Sequence, residues 1–89
     1  TINLARSFNG RYVFYYSNGN IWSERLYKNG FPWTVISNYD PKGNTQEMGT
    51  LKNGNGTLMI YNEKGDVISE DSYINGLFQG SKYVNLKGL

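Results

Sequence analysis

Eighty-nine residues make one small domain, near the size at which a single hydrophobic core is only marginally adequate. The chain has no cysteine and no histidine, which excludes disulfide staples, thiolate metal sites and the commonest side chain of acid–base catalysis and metal ligation. Nine basic residues against seven acidic leave a dispersed net charge of +2, too weak for a nucleic-acid or anionic-membrane footprint. No apolar run approaches the ~20 residues of a bilayer-spanning helix.

Eight glycines punctuate the sequence at 10, 19, 30, 43, 54, 65, 76 and 88, each after Asn or Lys. Five are Asn-Gly pairs (Asn9-Gly10, Asn18-Gly19, Asn29-Gly30, Asn53-Gly54, Asn75-Gly76), the strongest short-range hairpin signal. The others are Lys42-Gly43, Lys64-Gly65 and Lys87-Gly88. Such spacing leaves room for strands of about 6–8 residues.

In chain order, the first strand runs from Gly10 through Tyr12 and Phe14 to Tyr15, and the second from Gly19 through Trp22, Glu24 and Tyr27 to Gly30. A third, Thr34 to Tyr39, enters the turn Asp40-Pro41-Lys42-Gly43, read as one residue longer than its counterparts. The fourth, Gly43 to Gly54, carries Leu51 where the second has a tyrosine, and meets the fifth, Gly56 to Tyr61, through a shortened link. A sixth runs from Gly65 through Glu70 and Tyr73 to Gly76, and a seventh begins at Gly80 and reaches Tyr83.

Aligned on the turns, these form a unit of 22 to 24 residues, with copies at about 10–30, 31–54 and 55–76 and a partial copy at 77–89. Residues 1–89 read as one repeat domain. A glycine, an aromatic or aliphatic residue two later, a tyrosine three beyond, and a second strand ending Tyr-x-Asn-Gly resemble the MORN repeat, above all its bacterial variant. Thr34 departs from the pattern's glycine and Leu51 from its tyrosine. The resemblance implies a non-catalytic scaffold for protein partners, with antitoxin-like roles among similar bacterial arrays, and makes Tyr15, Tyr39, Tyr61 and Tyr83 a structural ladder. The chain opens Thr-Ile-Asn with no initiator Met or signal-peptide pattern, so a secreted or periplasmic mature form, a cytoplasmic protein and a trimmed fragment are all compatible.

The expected fold is all-β, an antiparallel meander of hairpins forming an elongated, single-layer twisted sheet. A two-residue turn at Asn18-Gly19 pairs Tyr16 with Ile21, Tyr15 with Trp22, Phe14 with Ser23 and Val13 with Glu24. Alternation then places Tyr12, Phe14, Tyr16, Ile21 and Tyr27 on one face, with Leu58, Ile60, Val67 and Tyr73 as counterparts. This regular face is the expected core. The other carries Val13, Tyr15, Trp22, Glu24, Leu26, Met59, Tyr61, Ile68 and Glu70, and is not cleanly polar. A single layer cannot bury both faces, which points to a homodimer, to packing on absent flanking sequence, or to a protein partner.

The candidate binding face is therefore Trp22, Trp33, Tyr15, Met48, Tyr61 and Ile68. Exposed tryptophans can stack sugars or grip a protein, so a cell-envelope module binding carbohydrate or lipid is the rival reading; gap-filling in an irregular core is the simpler one. Glu24 and Glu70 occupy equivalent positions, yet four strand steps of about 4.8 Å hold them roughly 19 Å apart, too far for a glycosidase pair. Lys42, Lys64 and Lys87 recur along one rim, where Asp40, Glu63 and Asp66 blunt their field. No catalytic residue, metal cluster, phosphate loop or cofactor site is expected.

Overall fold

Alternating side chains between turn glycines give, in a computed structural model that describes residues 9–83, six antiparallel strands and no helix. They are β1 (Gly10–Tyr15), β2 (Ile21–Lys28), β3 (Phe31–Asn38), β4 (Gly56–Tyr61), β5 (Val67–Ile74) and β6 (Leu77–Tyr83). The hairpin meander expected from the turn spacing is the architecture found. It is divided into two three-stranded sheets, β1-β2-β3 and β4-β5-β6. The described chain measures 42 × 28 × 23 Å. Lys87-Gly88 and the end of the partial copy lie outside the described residues.

The strand expected over 43–54 is where the sheet divides. Only isolated bridges, Tyr39 with Thr45 and Lys52 with Asn55, are formed there. The segment nevertheless bonds to both sheets. The Gln46 amide donates to Asn38 O and the Val35 amide to Leu51 O on one side; the Met59 amide donates to Met48 O and the Thr50 amide to Thr57 O on the other. Gly49 sits at φ +96, and a Cβ there would lie 2.4 Å from the Thr57 carbonyl oxygen, so the segment hugs β4 and arches away from β3.

Two kinds of turn alternate along the chain. Asn29-Gly30, Asn53-Gly54 and Asn75-Gly76 hold both residues at positive φ, the two-residue hairpin turn that Asn-Gly favours. Asn18-Gly19 does not. In the loops 16–20, 40–44 and 62–66 the first amide donates to the last carbonyl, at 2.8, 2.8 and 2.9 Å, and the glycine amide donates back to the first carbonyl. Each is a three-residue loop with positive φ at the glycine. The Asp40-Pro41 turn is thus the same length as its counterparts.

The longer loop corrects the expected register. Tyr16 faces Asn20 and Tyr15 faces Ile21, and a bulge at Trp22 restores Phe14 opposite Ser23 and Val13 opposite Glu24. The hairpin β4–β5 repeats this, with Ile68 bulged between Val67 and Ser69. Tyr83 also leaves its expected ladder: it stands three residues after Gly80, whereas Tyr15, Tyr39 and Tyr61 stand five after Gly10, Thr34 and Gly56, and so it faces Ser69 as Asn38 faces Ser23.

The core is small. Val35, Leu51 and Leu58 form it, with Ile60 and Tyr73 packed against it, and Leu58 is 1% exposed. The expected core face supplies Leu58, Ile60, Tyr73 and the buried Tyr16, whereas Tyr12 remains half-exposed. The two sheets meet here: Phe14, Trp22 and Arg25 from one line a cleft with Ile60 and Tyr61 from the other.

Candidate functional site

The six candidate residues fall into three environments. Trp22 and Tyr61 turn inward. The bulge swings the Trp22 indole onto Tyr16, stacked at 4.5 Å and 7° between planes, where it lines the inter-sheet cleft with Tyr61. Tyr61 is buried and donates from its phenol to Glu47 O at 2.7 Å; the Tyr16 phenol donates to Tyr39 O at 2.6 Å.

Trp33 lies on the rim of two-residue turns. Its ring covers Gly54 and Gly76, where added Cβ atoms would approach it to 2.7 and 3.0 Å. The Lys28 ammonium sits 4.7 Å above the same ring. Two sequence oddities explain each other here. Asn9 Oδ1 accepts from the Asn29 amide and Asn55 Oδ1 from the Asn75 amide. Trp33 stands at the corresponding place in the second copy, and Thr34, where the pattern has glycine, supplies its own Oγ1 to the Asn53 amide at 3.0 Å. The threonine replaces the acceptor that the tryptophan removed.

Tyr15, Met48 and Ile68 are exposed, Tyr15 at 58%. Leu26, Ile36 and Ile74 join them, so each copy presents at least two large apolar side chains to solvent. Phe31 and Leu77, each directly after a two-residue turn, and Phe78 are exposed as well. Sequence reading missed Ile36, Ile74, Leu77 and Phe78. The apolar pairs flanking Asn75-Gly76 were the available signal, because a turn leaves its neighbours little to pack on.

Polar groups are set among these. On the outward side of the first sheet Arg11 Nη2 bonds Glu24 Oε2 at 2.7 Å, and Ser37 Oγ donates to Glu24 Oε1 at 3.0 Å. These bonds, Arg11 first, hold the Glu24 carboxyl below its ordinary pKa. Asp71 accepts from Ser69 Oγ and Ser81 Oγ at 3.0 and 2.7 Å. Burial pushes the phenols of Tyr16, Tyr61 and Tyr73 upward, leaving neutral hydrogen-bond donors at neutral pH. Among the described residues no group of three or more acidic side chains converges as a metal site. Lys42 and Lys64 hold equivalent loop positions, bordering one cleft with Asp40 and Glu63; Lys87 lies outside the described residues.

Where the middle segment arches from β3 a groove of about 450 Å³ opens. Ile36 and Met48, both part-exposed, and Ser37, Gln46 and Glu47 line it. Asn38, buried at its base, donates from Nδ2 to Glu47 O and Met59 O, both at 3.3 Å, and so bridges the gap in the ladder. Gln46 Nε2 donates to Gly65 O at 2.8 Å, but Gln46 Oε1 is buried without a hydrogen-bond partner. An unmet buried acceptor costs about 1–3 kcal/mol.

No curated protein and no solved structure matches the chain. One family does, described as the MORN repeat variant, a typically non-catalytic repeat, over residues 8–29. That stretch contains β1, the first three-residue loop, β2 and Asn29 of the first two-residue turn. The first copy of this array is thus similar to the MORN repeat variant.

Proposed function

We infer that the chain is a non-catalytic repeat scaffold that mediates protein–protein interaction. The carrying observation is the apolar side chains left outside: Tyr15, Leu26, Ile36, Met48, Ile68 and Ile74, spread over all three copies, against a core of three buried aliphatic residues. Their recurrence from copy to copy supports a surface that a protein partner or a second copy of the chain would cover. The rival reading, carbohydrate or lipid bound through tryptophan platforms, has less support, because Trp22 is stacked on Tyr16 and Trp33 on two glycine turns.

Light scattering on the eluting protein tests this. A dimer, or a stoichiometric complex with a protein, is expected, and the triple variant Tyr15→Ser, Leu26→Ser, Ile74→Ser should release it with its melting temperature retained. Glycans and anionic vesicles should leave tryptophan fluorescence unchanged. A monomer whose emission shifts on a glycan panel overturns the scaffold in favour of the envelope module.

A further inference from the structure

The groove between β3 and the 45–49 segment carries a more specific inference, resting on the scaffold reading. Its walls combine apolar surface with acceptors. Ile36 and Met48 give part-exposed hydrocarbon, Ser37 and Glu47 give oxygens, and no lysine or arginine lines it. The Glu47 carboxylate makes no ion pair with the described residues. The volume of about 450 Å³ falls within the ~300–1,000 Å³ range of ligand clefts.

We propose that this groove receives an arginine side chain from a protein partner. The aliphatic stem lies along Ile36 and Met48 while the head reaches the polar wall, since long basic side chains bury their stems and keep their heads in polar surroundings. Arginine fits better than lysine because the acceptors sit on separate residues. A planar guanidinium directs five N–H donors outward in a fixed fork, whereas an ammonium is a compact point charge. The carboxylate of Glu47 supplies the charge complement, and the Ser37 oxygen a second acceptor across the groove. At its base Asn38 Nδ2 ties β3 to the Glu47 and Met59 carbonyls, which fixes the groove floor.

The chain's two methionines make the test direct, because Met48 lines the groove and Met59 does not. The probe is a capped pentapeptide with a central arginine between alanines, titrated while the two methionine methyl resonances are followed. The Met48 methyl should shift saturably and the Met59 methyl should not. Replacing arginine by citrulline, its uncharged counterpart, should weaken binding about tenfold or more, the loss expected when a charge-assisted bond is removed. Glu47→Gln should do the same, while Glu63→Gln, on the neighbouring loop, should leave affinity unchanged. Equal binding of arginine and citrulline peptides, equal binding of a lysine peptide, or indifference to Glu47→Gln overturns the proposal. Those results would leave the scaffold reading standing if light scattering still finds the dimer or complex, so the two can fail separately.

Discussion

The two rims of the array reverse the chain by different means. On one, Asn29-Gly30, Asn53-Gly54 and Asn75-Gly76 link copy to copy through the backbone: the Gly54 amide donates to Trp33 O and the Gly76 amide to Gly54 O, at 2.7 and 2.8 Å. On the other, each three-residue loop closes on itself, with side-chain oxygens of Asn18, Asp40 and Asn62 accepting from their own backbones. Copies there are joined through side chains, as where Asn18 and Asn20 both donate to Pro41 O. A fault in the first rim is therefore carried to its neighbours, whereas a fault in the second stays where it is made. The same dipeptide serves both rims, so neighbouring copies decide what an Asn-Gly pair becomes.

The largest expected effect separates the rims at matched backbone geometry. Gly43 at φ +94 has nothing within 4 Å of an added Cβ, so Gly43→Ala should cost only the left-handed penalty, about 1–2 kcal/mol. Gly54 at φ +88 would place that Cβ 2.7 Å from Trp33 and 2.9 Å from the Gly76 nitrogen. Overpacking adds about 1–3 kcal/mol to the same strain. Urea unfolding of the two variants measures the gap, and equal midpoints would break the distinction between rims.

Next in size is the Trp33–Thr34 exchange. Trp33→Ala uncovers both glycine turns and should cost about 2–3 kcal/mol, below a fully buried tryptophan because the ring is part-exposed. The sharper arm is Thr34→Ala. It removes the acceptor of the Asn53 amide and should cost about 1 kcal/mol in the native sequence. In a Trp33→Asn background an asparagine oxygen again stands where Asn9 and Asn55 supply theirs, and the cost should nearly vanish. A double-mutant cycle with no coupling would show that the two residues do not compensate.

These cases also show how far residues alone led. The hairpin meander and the Phe14–Ser23 and Val13–Glu24 pairs were legible because alternation and turn spacing are local, whereas the strand expected over 43–54 forms only isolated bridges. The loop at Asn18-Gly19 was not, since a two-residue turn and a three-residue loop with a bulge rejoin the same register two pairs later. The bulge decided the tryptophan as well, because it takes Trp22 out of strict alternation and stacks it inward on Tyr16. The groove was invisible for a third reason. It follows from Gly49 pressing against β4, a contact between segments that spacing does not encode. Thr34 could have been anticipated: it breaks the glycine pattern directly beside the tryptophan that breaks the asparagine pattern.

A smaller effect tests whether the second rim is local. Asn62 Oδ1 accepts from the Lys64 and Asp66 amides at 2.9 and 3.0 Å. Asn62→Ala should cost about 1 kcal/mol, as a lost loop-capping side chain typically does. Faster hydrogen exchange should appear within residues 62–66 and leave the Gly54 and Gly76 amides protected. Deprotection spreading to those glycines would mean that the rims act as one unit.

The smallest effect is one of pH, and it separates two loops of identical shape. Asp40 Oδ1 accepts from the Lys42 and Asn44 amides where the third loop uses neutral Asn62. Those bonds, the Asn44 amide foremost, hold the Asp40 carboxyl below its ordinary pKa. A depressed folded-state value means that the stabilisation is present above the unfolded value of about 3.9 and lost as pH falls through the folded one. Glu24 titrates in the same direction, so total acid sensitivity cannot assign the loss to either group. Asp40→Asn can: the variant should be less stable than the native chain at neutral pH, and the two should converge in acid. A difference that stays constant from about pH 6 to about pH 2 would show that charge at Asp40 contributes nothing, leaving hydrogen-bond geometry alone to hold both loops.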